Sequence, residues 1–361
     1  MDAFAYPIFA YSALRTLQFR LQERFLNRAL RLIPGVQGNL VHQDHLLPRT
    51  LEIQLRNQLL SLLINDAKNI REGIYPVSVL RPESPKTHLT RIPKILFDGF
   101  KIHRRRSKKI SKDFSKLTKT FLDDVPDYFK RNFHFQTDGY LAESSADLYE
   151  HQVELLFAGA ADAMRRLFLP LLHKHIEQSQ FTALEVAAGT GRATRFMRLA
   201  FPKAKITCSD VSYPYLKHAQ KKLRDLHRID FIQANAEKLP FETDSFDVLY
   251  SVFLFHELPP EARKKVLTES LRVLKPGGYL AFVDSIQLHD FPEAQPALEN
   301  FPVDFHEPFF KSYTKKPMEE LLKEAGFEII ESTWGFLSKG ILAQKKAPKS
   351  KPGASAIRHR K

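Results

Sequence analysis

Residues 184–191 read Leu-Glu-Val-Ala-Ala-Gly-Thr-Gly, a short apolar strand running into an acidic, small-residue loop that opens onto a helix. About twenty residues on, Asp210 closes a second strand, Ala204-Lys-Ile-Thr-Cys-Ser209. Strand, glycine turn, helix, strand, acid is half of a doubly wound α/β domain, whose ligand sits at the carboxyl ends of the strands. A dinucleotide fingerprint needs a third small residue, so that the helix can approach closely and hold a pyrophosphate at its N-terminus. Here the three positions are Ala187, Gly189 and Arg192, so that requirement fails. What remains gives backbone room without a phosphate grip, which fits S-adenosylmethionine. Asp210 would take the two ribose hydroxyls in charge-assisted hydrogen bonds.

Three later segments fall into register with this turn. Phe231-Ile-Gln-Ala-Asn-Ala-Glu-Lys-Leu-Pro-Phe241 is a third strand and its loop. Phe246-Asp-Val-Leu-Tyr-Ser-Val252 is a fourth strand, and Arg272-Val-Leu-Lys-Pro-Gly-Gly-Tyr-Leu280 ends a helix and opens a fifth. Together, residues 140–344 resemble the class I S-adenosylmethionine-dependent methyltransferases of the type 11 kind. Within them the chain is similar to the ubiquinone/menaquinone-biosynthesis C-methyltransferases. The resemblance implies an α/β, Rossmann-like sheet of seven strands with an antiparallel final pair, preceded here by a mostly helical extension. It implies S-adenosylmethionine as cofactor, with Glu185 near the methionine amino group. Ala187, Gly189 and Gly191 would form the turn along the methionine arm, and Asp210 would hold the ribose. Val211 would pack beside the adenine, and Asn235, Ala236 and Glu237 would meet its edge. Ser251 would face the cofactor centre, and Tyr149 resembles a tyrosine placed over the methionine end. Asn235 stands where many relatives have Asp; its carbonyl can still accept from the adenine amino group, more weakly because it is uncharged.

Charge separates the chain into parts. The 361 residues carry a net charge of +14. Residues 101–119 hold nine Lys and Arg against one Asp, and residues 345–361 hold seven and no acid, so the rest is close to neutral. The basicity therefore belongs to an appendage and a tail. With 43% hydrophobic residues the chain can bury a sizeable core. Its length suggests about two domains. The single cysteine, Cys208, lies in a strand expected to be buried, which fits a reducing, cytoplasmic compartment. No Cys and His cluster has metal-ligand spacing, and methyl transfer requires no metal. No apolar run is long enough for a transmembrane helix.

Residues 1–140 read as a helical, basic region, 141–344 as the methyltransferase domain, and 345–361 as a disordered basic tail. From Ala10 to Ile33, Leu14, Leu21, Phe25, Ala29, Leu30 and Leu32 share one face, with Arg20, Arg24, Arg28 and Arg31 opposite and Leu17 the exception, until Pro34-Gly35 stops the helix. That helix has three readings: docked on the domain by its apolar face, laid on an anionic membrane surface, or a transit peptide. Asp2, Glu23 and the scarcity of serine argue against the last. A second helix is expected from Thr50 to Ile64. A long one, capped by Ser144 or Ser145, should run past Met164 toward Pro170. Strands are expected near 182–187, 204–209, 229–233, 246–252, 278–285, 327–333 and 336–344.

Methyl transfer is an in-line displacement in which positioning and desolvation supply most of the acceleration. His256, in Leu254-Phe-His-Glu-Leu258 just past the fourth strand, is the candidate base, where quinone-type relatives often have Arg-Asn. Phe301, Phe305, Phe309, Phe310 and Tyr313 lie in an insertion expected to roof the acceptor pocket. The acceptor is expected to be a small, lipophilic or aromatic molecule, with quinones one example. The alternative is an RNA or ribosome-associated methyltransferase that grips phosphates with 101–119 and 345–361. Against that, Ser251-Val-Phe-Leu stands where an Asn/Asp-Pro-Pro-Tyr-like base-flipping motif would follow the fourth strand.

Overall fold

The computed structural model describes residues 5–33 and 47–347. Three helices come first, α1 (Ala5–Arg31), α2 (Arg49–Arg71) and α3 (Pro85–Lys108). An irregular stretch leads to α4 (Glu143–Leu156), α5 (Ala161–Arg165) and α6 (Phe168–His175). Strand and helix then alternate through β1 (Thr182–Glu185), α7 (Arg192–Ala200), β2 (Lys205–Asp210), α8 (Tyr213–Lys222) and β3 (Ile229–Gln233). Next come β4 (Phe246–Val252), α9 (Pro260–Val273) and β5 (Leu274–Ser285). The insertion holds α10 (Gln295–Asp304) and α11 (Phe310–Lys315); α12 (Met318–Glu324), β6 (Phe327–Gly335) and β7 (Ser338–Lys345) follow.

The sheet has seven strands in the order β3-β2-β1-β4-β5-β7-β6. Strands β1 to β5 pair in parallel, and β7 is antiparallel to both β5 and β6. Strand order reverses beside β1, so a crevice opens between the carboxyl ends of β1 and β4, where such sheets bind ligands. Alternate side chains feed two cores. Ala183, Val248, Tyr250 and Val283 meet Phe168 and Leu172 of α6 and Phe196 of α7. Leu184, Leu249 and Phe282 meet Val266 and Leu267 of α9 and Leu322 of α12. The first core also takes Ile8 from α1 and Ala67 and Ile70 from α2, so packing runs on across residue 140.

The N-terminal helix docks by a face other than the expected one. Ile8, Ser12, Phe19 and Leu26 are buried, joined from the expected face by Leu30, whereas Leu14, Leu21, Phe25 and Leu32 are exposed. Its expected stop at Pro34-Gly35 lies outside the described residues. The expected long helix breaks after Leu156, because Ala158 and Gly159 adopt left-handed backbone. Pro170 is not the break; it sits in the first turn of α6, where no intrahelical N–H is needed. The cap is Ala142, not a serine, and the Ser145 hydroxyl donates to its carbonyl at 2.9 Å. Lys345, expected to start the tail, ends β7 instead and pairs with Asp244 at 2.6 Å. The rest of the expected disordered tail, from residue 348, lies outside the described residues. The basic run is partly structural too. Arg105 is buried, and its guanidinium donates to the Phe135 carbonyl and the Thr137 hydroxyl at 2.9 and 3.0 Å.

Candidate cofactor site

The turn after β1 is built by three left-handed residues, Ala187, Gly189 and Gly191, with φ of 55°, 56° and 77°. Two glycines accept that conformation without penalty; Ala187 is held in it at a cost of about 1–2 kcal/mol. The Ala188 N–H donates to the Ser209 carbonyl at 2.9 Å, which pins the turn to β2. Asp210 at the end of β2 completes the attachment. Its Oδ2 accepts from the Gly189 N–H at 2.8 Å and its Oδ1 from the Ser212 N–H at 2.7 Å. Burial nevertheless pushes this carboxyl up to about 6, against the pull of those donors. Glu185 is more deeply set, with the Thr194 hydroxyl donating to it, and burial pushes it up to about 8.

A cavity of about 950 Å³, counted to its open mouth, lies over these groups at the ends of β1, β2 and β4. Glu185, Ala187, Gly189, Asp210, Val211, Asn235 and Ala236 line it, as expected for one ligand site. Tyr149 lines it as well, in edge-to-face contact with Tyr140 and Tyr215 at centroid distances of 5.8 and 6.0 Å. Four other expected residues do not. Gly191 turns toward α8, where a Cβ would stand 2.8 Å from Leu223 Cδ1, so it serves helix packing. Ser251 is buried behind a wall made by Val252 and Phe253. His256 is also off the wall; Glu257, its neighbour, is on it. Glu237 accepts from the Tyr128 hydroxyl at 2.8 Å and lies outside the cavity. Asn235 Oδ1 accepts from the Glu237 N–H at 2.9 Å, which folds the loop and leaves its amide N–H groups free for a ligand.

Residues that sequence reasoning missed close the other side. Tyr128, Phe129 and Tyr140 of the irregular N-terminal stretch, with Glu150 and Arg165, line the cavity. No periodic pattern marks them; only the chain's return to the sheet brings them there. The expected aromatic roof is not part of this wall. Phe301 and Phe310 pack with Phe291 and Leu298 and with Leu51 of α2, and Phe305 lies near His134. Phe309 meets Tyr128 edge-on at 6.1 Å.

Two polar clusters flank the cavity. On one side Asp162 pairs with Arg192, with Arg165 at 3.2 Å and with Arg15 at 3.5 Å, while Arg15 also reaches Glu154 at 2.9 Å. Glu150 accepts from the Thr190 hydroxyl and pairs with Arg165 at 3.1 Å. Arg192, which excluded a pyrophosphate, is thus spent on tying α1, α4 and α5 to the turn. On the other side His256 Nδ1 bonds Asp284 at 2.5 Å, and its Nε2 lies 3.8 Å from Glu257 Oε1. Burial disfavours its proton, but Asp284, Glu307 and Glu257 outweigh that and hold it at about 9. His134 lies 3.6 Å from the same Glu257 oxygen and 3.2 Å from the fully buried Glu307, whose carboxyl burial pushes up to about 7. The Tyr140 hydroxyl donates to Glu257 at 2.6 Å and meets His134 Nε2 at 2.7 Å. The ligand-type atoms of His134, Glu257 and Glu307 lie within 4.8 Å of one another, a grouping from three distant segments that spacing does not reveal.

The fit to S-adenosylmethionine rests on this donor set. A buried carboxyl that waits for a cation, open space over Gly189, and a second carboxyl beside backbone N–H groups match an ammonium, a methionine chain and a ribose diol. The methyltransferase-domain family model matches residues 183–278. The ubiquinone/menaquinone biosynthesis C-methyltransferase UbiE of Shewanella piezotolerans is 32% identical over 187 residues, covering 46% of this chain and 73% of that protein. That of Escherichia coli is 28% identical over 244 residues, 59% of this chain and 94% of its own length. A phthiotriol/phenolphthiotriol dimycocerosates methyltransferase of Mycobacterium ulcerans is 32% identical over 146 residues; these are 40% of this chain and about half, 53%, of the relative. The chain belongs to the class I S-adenosylmethionine-dependent methyltransferases. Within that family it is similar to the quinone-biosynthesis C-methyltransferases, and it is an enzyme that takes S-adenosylmethionine as cofactor.

Proposed function

We propose that the enzyme methylates a flat, lipophilic acceptor of the hydroxylated quinone or phenol class. The observation that carries this reading is the composition of the wall facing the turn: Tyr128, Phe129, Tyr140, Tyr149 and Phe253, with Glu257 as the acid at that end. Aromatic walls hold a planar ring and exclude water, and a single carboxyl suits one acidic hydroxyl. The names of the relatives, for ubiquinone/menaquinone and phthiotriol dimycocerosates, point in the same direction.

When bound, the cofactor supplies an electrophilic sulfonium methyl. The chain's own work is then to orient the acceptor in line with it and to manage a proton. Glu257 is the group in reach of an acceptor hydroxyl. Tyr140 and His134 keep its carboxyl in place. His256, expected as the base, holds its own proton at neutral pH and stands behind Glu257. Its positive charge would favour an ionised acceptor rather than take a proton from it.

The test is transfer of labelled methyl groups to lipid extract, RNA and protein fractions, followed by purified hydroxynaphthoquinones. Label is expected in the lipid fraction; label in RNA would overturn the reading. In Glu257→Gln, turnover should fall by about 10²-fold or more while cofactor affinity, measured by calorimetry, stays within about threefold. Unchanged turnover would remove Glu257 from the chemistry.

A further inference from the structure

The N-terminal helix carries two apolar stripes, and only one is used. Phe19 and Leu26 pack on Ile95 of α3 and on Leu148 and Leu155 of α4. On the opposite side, at helical period, Leu14, Leu17, Leu21, Phe25 and Leu32 are 54 to 81% exposed. Arg20, Arg24 and Arg28 are exposed along the edge of that stripe. The one acid of α1, Glu23, lies on the far side and is half-buried. Helix α3 repeats the pattern. Leu89 and Phe97 are 66 and 62% exposed, Arg104 and Lys108 are exposed beside them, and its one acid, Asp98, is buried. Helices α1 and α3 bury their inner faces in one cluster, so they stand side by side on one flank of the molecule.

We propose that this flank docks on an anionic lipid bilayer. Stranded leucine and phenylalanine side chains are costly in water and gain by entering the acyl boundary, while a bordering row of arginines meets lipid phosphates. Charge complementarity selects this occupant. A second copy would bring arginines against α1 and α3, which offer no exposed acid among the described residues. RNA would satisfy the arginines and leave the apolar stripe in water. Attachment is lateral, since no helix among the described residues is long and apolar enough to cross a membrane. The surface lies apart from the cofactor cavity, so it stands independently of the acceptor named above.

Flotation of the full chain with vesicles tests it, using phosphatidylcholine alone and with about 30% phosphatidylglycerol. The native chain should float with the anionic vesicles and at least about tenfold less with the neutral ones, and binding should weaken as salt rises. Leu21→Ser with Phe25→Ser should lower vesicle binding about tenfold or more, and Arg24→Glu with Arg28→Glu should abolish the anionic preference. All four positions are exposed, so circular dichroism and cofactor binding should match the native chain and confirm the fold. No flotation of the native chain would overturn the proposal, as would equal binding by the apolar variant. A native dimer that the apolar variant dissociates would assign the face to a second copy. Tight RNA binding that the apolar variant leaves unchanged, without flotation, would assign it to nucleic acid.

Discussion

Glu185 ends β1 at 1% exposure, and burial keeps its proton on to about pH 8, against 4.5 for a free glutamate. The folded chain therefore binds this proton more tightly than the unfolded one. Its contribution to stability is complete below pH 4.5 and is lost as the pH rises through about 8. Glu185→Gln cannot ionise, so the ligand-free variant should melt above the native protein at pH 9 and the gap should close toward pH 5. Calorimetric melts across that range are the check, and a gap independent of pH would contradict a protonated carboxyl. The same variant should bind S-adenosylmethionine about tenfold to a hundredfold more weakly, because a charge-assisted hydrogen bond to the amino group is lost. Glu185 and Asp210 were legible in the sequence because a strand end and a turn fix them locally. Tyr128 and Tyr140 were not, since chain closure over more than a hundred residues brings them to Glu237 and Glu257.

At the scale of elements, the glycine turn divides its work between ligand and packing. A Cβ on Gly189 would meet open space over the cavity, whereas one on Gly191 would meet Leu223 at 2.8 Å and Ala219 at 3.0 Å. Both φ values are positive, so each alanine pays about 1–2 kcal/mol of backbone strain. Gly191→Ala should add a packing cost of about 1–3 kcal/mol and leave cofactor affinity nearly unchanged. Gly189→Ala should do the reverse, weakening the cofactor with only the strain cost. Urea unfolding and calorimetry on the pair separate the roles. The strands were legible almost residue by residue, because their apolar runs end at turn residues and β3 and β4 fall on 229–233 and 246–252 as expected. The first helix was legible as a helix and misread as a surface. Periodicity finds apolar stripes, but with Leu21 and Leu26 on different ones it does not say which stripe meets the core.

For the whole molecule, the decisive fact is that one core crosses residue 140. Ile8, Ala67 and Ile70 share it with Ala183 and Val283, and Arg15 reaches from α1 to Asp162, the partner of Arg192 at the turn. Composition divided the chain by charge, and charge is a property of surfaces; it carried no information about this shared interior. A single cooperative transition follows. Fluorescence of Trp334, the single tryptophan and stacked on Phe291, reports the sheet edge, while far-ultraviolet circular dichroism reports mainly the helices. The two melting curves should coincide. Separate transitions would mean that the N-terminal helices unfold on their own.

The lone thiol of Cys208 lies inside β2, 0% exposed, with its sulfur 3.5 Å from the Thr194 hydroxyl oxygen and α8 packed over it. Burial pushes it well above its ordinary range, so it is inert in the closed fold. That makes the native chain its own clock. A thiol reagent can react only during an excursion that lifts α8 or the turn from β2, and the labelling rate measures how often this happens. If that excursion also dismantles the cofactor cradle, saturating S-adenosylmethionine should slow labelling in proportion to one plus its concentration over its Kd. A rate that ignores the cofactor would show that the strand opens without disturbing the cradle.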